Sequence, residues 1–272
     1  MPNPRTQIEK LKLQFKNSLK EDSSKFTRML LREIDLLWRE YKSTGGTDSL
    51  EKFADYYLRN FKLTEQQKGF VITDLKNVES NIASLWDDYF YDQYKSLKDN
   101  GGRVPLAFTT ADYNKIAALT QVNFPQLKDD IDKVVLHEIK RSVAGEYGYA
   151  SLRQKLINRG VGGDDASTLA NTSLAQYDNA YHIEGAQQAG AEFFLYDGIL
   201  VEHSRLFCIE HVGRVYTIAE LSKMDNKQGL PVIPSLGGYN CTHFLTALFG
   251  YVRLLFGEKY DKANHKFGIL FS

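Results

Sequence analysis

The chain has 272 residues, of which 43% are hydrophobic and 25% charged, with only 6 prolines and 2 cysteines. This leaves ample length for a packed core and excludes disordered, collagen-like and disulfide-dense classes. Lysine plus arginine and aspartate plus glutamate both number 34, and eight of each fall from Gly190 onward, so neither part has the basic excess that drives binding to phosphate backbones.

The start of the chain becomes charged within ten residues and lacks an apolar signal core, which predicts no secretion signal. Apolar residues then recur at helical spacing through Ile8, Leu11, Phe15 and Leu19, and again through Phe26, Leu30, Ile34, Leu37 and Tyr41. Ser23 and Ser24 between them predict a cap separating two helices. A third helix is expected over about 48–62. Thr64-Glu-Gln-Gln67 then reads as a capping box opening the longest helix of the chain, from Glu65 to Lys98, which unbroken would extend ~51 Å. After Asn100-Gly101-Gly102 and a proline-containing connector, helices are expected at about 110–120, 125–144 and 150–158, with Pro125 in a first turn that tolerates it. A further helix starts at Asp164-Asp165 and ends at Gly190.

The pattern changes after Gly190. Phe193-Phe-Leu-Tyr196 and Ile199-Leu-Val201 look like short strands on either side of the turn pair Asp197-Gly198, and Thr217-Ile-Ala-Glu220 can cap a short helix. The longest apolar stretch, from Phe244 to Phe256, is broken by Thr246, Gly250 and Arg253. It falls short of the roughly 20 residues a membrane-spanning helix needs, so it should be core. The fold class expected is α+β, mainly α: a long-helix body over residues 1–144, then a small mixed module with short strands over residues 145–272.

Metal-capable side chains cluster at Cys208-Ile-Glu-His211 and Cys241-Thr-His243, with His203 just upstream. A Cys and a His three apart can converge in a turn, and two apart they share one side of a strand. Cys208, His211, Cys241 and His243 could therefore close a tetrahedral structural zinc site. A Cys208–Cys241 disulfide, closing a loop worth about 3.7 kcal/mol in the chain-entropy model, and simple burial of two free thiols are the alternatives. His182-Ile-Glu184 followed by Cys208 and His211 loosely resembles a zinc deaminase pattern, although Phe207 stands where that pattern has proline. A zinc-dependent hydrolase or nucleobase deaminase is thus one alternative function, and a generic helical adaptor another. Phosphate-loop, nucleophile-elbow and His-Glu-x-x-His signatures are missing from the sequence.

From about residue 145 the sequence resembles the phage head morphogenesis family, the Mu protein F-like minor capsid proteins. The resemblance is carried in order by Ala166-Ser-Thr-Leu-Ala170-Asn-Thr172, Gly190-Ala-Glu-Phe-Phe-Leu-Tyr196, Arg205-Leu-Phe-Cys208, Gly213, Val215-Tyr216-Thr217 and Gly237-Gly238-Tyr239-Asn240-Cys241-Thr-His243. Cys208, Cys241 and His243 match the family, whereas the position of His211 is not reliably His in it. The resemblance implies a non-enzymatic virion component of the capsid interior or portal vertex, present in the host cytoplasm during assembly. Its partners would be the portal protein and the major capsid protein. Local contact with packaged DNA, and exit with it, are compatible with that role.

Overall fold

The computed structural model describes residues 4–99, 109–120, 122–248, 260–261 and 266–267. The protein is α+β and mainly α. Helices α1 (Arg5–Ser43), α2 (Leu50–Asn60), α3 (Glu65–Asp99), α4 (Thr110–Leu119), α5 (Phe124–Ala144), α6 (Tyr149–Arg159) and α7 (Gly163–Gln188) precede strand β1 (Phe193–Asp197). Then come α8 (Leu206–His211), β2 (Val215–Tyr216), α9 (Ile218–Leu221), α10 (Val232–Ser235) and β3 (Phe244–Leu248), with a short antiparallel pair, β4 (Tyr260–Asp261) and β5 (Lys266–Phe267).

Two expectations for the helices change. Ser23 and Ser24 do not separate two helices: α1 runs unbroken for 39 residues and is longer than α3, with 35. The buried residues Phe15, Leu19, Phe26 and Leu30 are spaced four, seven and four apart, so one helical face continues in phase across the serines. The expected stop at Asn100-Gly101-Gly102 and the connector after it lie outside the described residues. The capping boxes stand where expected. The Thr64 N–H donates to Gln67 Oε1 at 2.8 Å and the Gln67 N–H to Thr64 Oγ1 at 3.2 Å, and Thr217 and Glu220 make the same exchange at α9.

The chain forms two compact units whose segments alternate along the sequence. One comprises Leu13–Asn77 and Val122–Ala170, the other Met1–Lys12, Val78–Gln121 and Asn171–Ser272. These are not the contiguous 1–144 and 145–272 parts expected, because unit boundaries fall inside α1, α3 and α7. Helical periodicity marks where an element runs, not which neighbours it packs against.

The first, helical unit is held by aromatic packing. Trp38 stacks on Tyr149 with centroids 4.5 Å apart and meets the edge of Phe53 at 5.0 Å, while Tyr57 stacks on Phe61 at 4.8 Å. The hydroxyls of this cluster find carboxylates: Tyr57 donates to Asp132 at 2.9 Å and Tyr149 to Asp35 at 2.9 Å. Such pairing is what lets a tyrosine serve as core.

The second, mixed unit carries the sheet, in the order β2-β1-β3, antiparallel throughout. Side chains alternate across it. Phe194, Tyr196, Tyr216 and Leu245 share one fully buried face, and Phe193, Leu195, Val215 and Leu248 pack together on the other. The expected hairpin about Asp197-Gly198 does not form. Residues 199–201 are an exposed loop and both partners of β1 come from later in the chain. Gly198, at φ +134°, turns the chain beneath His243 instead, where a Cβ would lie 2.8 Å from the imidazole Cδ2. Of the apolar stretch expected as core, Phe244–Leu248 forms β3, with Leu245 buried, and the rest lies outside the described residues.

Candidate metal centre

Three segments of the mixed unit bring the sulfurs together. β1 supplies Tyr196 from its inner face, the single turn and a half of α8 supplies Cys208, and the loop between α10 and β3 supplies Gly237, Cys241 and His243. That loop has little regular structure and coils through positive φ at Leu236, Gly238 and Asn240. It is held from outside by α7, whose Thr172, Gln176 and Asn179 lie at helical spacing and are all buried. Asn179 donates to the Pro234 carbonyl at 3.0 Å and Gln176 to Ser235 Oγ at 2.8 Å, while the Asn240 N–H donates to Thr172 Oγ1 at 3.0 Å. Arg205, the residue before α8, closes the other side by donating to the Tyr239 carbonyl at 2.6 Å.

Within this frame Cys208 Sγ and Cys241 Sγ are 3.9 Å apart and unbonded, and Cys241 Sγ is 3.6 Å from His243 Nδ1. The three donor atoms lie within 4.8 Å of one another and all three residues are buried. Gly237 sits against both sulfurs: a Cβ there would lie 2.3 Å from Cys208 Sγ and 3.1 Å from Cys241 Sγ. The Gly237 N–H donates to Cys241 Sγ at 3.3 Å, and the Tyr196 hydroxyl lies 3.4 Å from Cys208 Sγ. The two thiols are driven apart in acidity. The hydrogen bond from Cys208 holds the Cys241 thiol down to about 4 against the effect of burial, with His243 and the Gly237 amide assisting. The same hydrogen bond, and then burial, push the Cys208 thiol up. A thiolate is the form that ligates metals and attacks electrophiles, and the environment of Cys241 favours it.

His211 is not one of the converging residues, which corrects the four-ligand set expected from spacing. It ends α8 with Nδ1 2.6 Å from the Tyr216 hydroxyl, and its ring meets Phe207 at 4.3 Å, so the imidazole is engaged by β2. His203 lies exposed in the loop before α8. The residues of the deaminase-like pattern do not gather either. His182 packs between Trp86, at 4.4 Å, and Phe90, at 5.9 Å, and Glu184 pairs with Lys115. Among the described residues, Cys208, Cys241 and His243 form the one group of three or more such side chains that could hold a metal.

Sequence reasoning missed a second polar constellation in the same unit. Asp178 of α7 is fully buried and accepts from Arg5 at 2.6 Å, Lys12 at 3.0 Å and the Trp86 indole N–H at 2.8 Å. Burial alone would raise its pKa, but the two cations and the indole overrule it and hold the carboxyl well below the usual range. One turn on, burial and then the Arg5 charge lower His182 to about 3. The sequence offered only an aspartate on a helix, whose partners lie 173, 166 and 92 positions away.

Comparison of the chain with family models, curated proteins and solved structures finds no match. No helix among the described residues is long and apolar enough to cross a membrane.

Proposed function

We propose that the chain is a non-enzymatic minor head protein of a bacteriophage, one that binds the portal protein, and through it the major capsid shell, during head assembly. One observation carries the reading: the motif pieces that resemble the head morphogenesis family contact one another. Asn240 bonds Thr172, Arg205 bonds Tyr239, Gly237 packs on Cys208 and Cys241, and Val215 and Tyr216 pair with Leu195 and Phe194. Motif residues scattered over some 70 positions that meet in one place are expected of one compact module. The role assigned to the cysteines is to shape that module, consistent with their burial.

The module also carries exposed apolar side chains that a protein partner could cover. Ile199 is 82% exposed, and Val201, Leu206 and Ile209 are exposed beside it in sequence. Co-expression with the portal protein of the same phage should retain the chain through affinity purification and gel filtration. Failure to co-purify, together with absence from both assembling heads and mature particles, overturns the assignment.

A further inference from the structure

We infer that Cys208 Sγ, Cys241 Sγ and His243 Nδ1 form a three-residue zinc site that staples α8 to the loop before β3. The separations fit the ion. Two thiolates at about 2.3 Å from a tetrahedral zinc stand about 3.8 Å apart, and a thiolate and an imidazole nitrogen stand about 3.6 Å apart; the protein holds the corresponding pairs at 3.9 and 3.6 Å. The third pair, Cys208 with His243, is within 4.8 Å and closes when the ion enters. A disulfide fits less well, since the sulfurs would have to approach by nearly 2 Å to reach a bond of about 2.05 Å.

Charge and space point the same way. Binding releases thiol protons to solvent, and a divalent ion with two thiolates and a neutral imidazole carries no net charge, the form a buried site tolerates. A monovalent copper ion would leave one negative charge there. Gly237 provides room, because any side chain at that position would occupy the space beside the two sulfurs. The fourth position falls to a water or other small donor, because His211 is held by Tyr216. The site's role is structural: it joins two segments that have little secondary structure of their own. This inference is independent of any role in phage heads, so loss of portal binding leaves it standing.

The test uses the full chain, reduced and stripped of metal, then titrated with zinc against a chromophoric chelator. One zinc should bind per chain, both thiols should become protected from a thiol reagent, and cobalt in its place should show thiolate-to-metal charge transfer. Cys208→Ser and Cys241→Ser should each weaken binding by at least about 100-fold, beyond the 10–100-fold that even an indirect partner of a metal ligand contributes. His211→Asn should leave the affinity unchanged. Should a serine variant fail to fold, thiol protection and the cobalt spectrum of the unsubstituted chain decide alone. No stoichiometric zinc, zinc bound with both thiols still reactive, preference for monovalent copper, or an equal loss in His211→Asn overturns the inference.

Discussion

The helical unit and the mixed unit solve the same packing problem by different means. In the helical unit the interior is mainly aromatic and aliphatic, its tyrosine hydroxyls find carboxylates, as in Tyr57 on Asp132 and Tyr149 on Asp35, and among the described residues its buried polar side chains, Thr27, Gln67, Glu138 and Ser142, are fewer than those of the mixed unit. The mixed unit buries more polar side chains, with Asp178, Gln176 and Asn179 each hydrogen-bonded to particular partners and His182 packed between aromatic rings. Apolar packing tolerates exchange of one hydrophobe for another of similar volume. A buried polar group tolerates only its own partner. The helical unit should therefore be the plastic part of the molecule and the mixed unit the brittle one.

The largest break should come at Asp178. Replacing it with alanine removes the buried carboxylate that Arg5 and Lys12 share, their side chains being only 12% and 15% exposed, and should cost about 3–5 kcal/mol, read from denaturant unfolding and assigned to the mixed unit by hydrogen exchange. Asn179→Leu keeps the branched shape but removes the donor to the Pro234 carbonyl, and should cost about 1–3 kcal/mol. Leu152→Met, at a fully buried position of the helical unit, should cost less than about 1.5 kcal/mol; reversal of that order would refute the contrast between the units.

Acid should also single out the mixed unit, through His182. Its imidazole is held near 3 by burial and Arg5, with Asp178 the opposing charge and Trp86 and Phe90 against its faces. The unfolded chain binds a proton below about pH 6.5 and the folded one refuses it, so stability falls as pH drops through that window, by about 1 kcal/mol at pH 5.5. His182→Leu should flatten this slope in urea titrations at pH 7 and pH 5.5. The smallest effect belongs to the helical unit's surface: Lys42→Ala removes an exposed pair with Asp48 and should change stability by less than about 0.5 kcal/mol.

The same division decides how much could be read from the sequence. Helix spans follow from apolar period and from caps, so α2, α5 and the start of α3 at the Thr64–Gln67 box lie within a residue or two of expectation. Where local signals misled, a longer-range pattern had the answer: the in-phase spacing of Phe15, Leu19, Phe26 and Leu30 outweighs two serines in α1. The strand after Gly190 was legible and its partners were not, because β1 pairs with residues some 20 and 50 positions later, and Gly198 looks the same in a hairpin turn as in a close approach to His243. Cys208, Cys241 and His243 were legible as a cluster through their motifs. The exclusion of His211 was not, since it depends on where Tyr216 points. Thr172, Gln176 and Asn179 did leave a signal, a stripe of uncharged polar residues on one face of an alanine-rich helix.

That stripe has a consequence for how freely the loop it holds can vary. At two of its three contacts α7 grips main chain, the Pro234 carbonyl and the Asn240 amide, and Arg205 does the same at the Tyr239 carbonyl. A segment clamped by its backbone keeps its path while its outward side chains change. Thr242 is exposed, so that position can be rewritten without moving the residues that face inward. Thr242 is in effect a ready-made point of display, on which new recognition chemistry could be grafted by substitution alone.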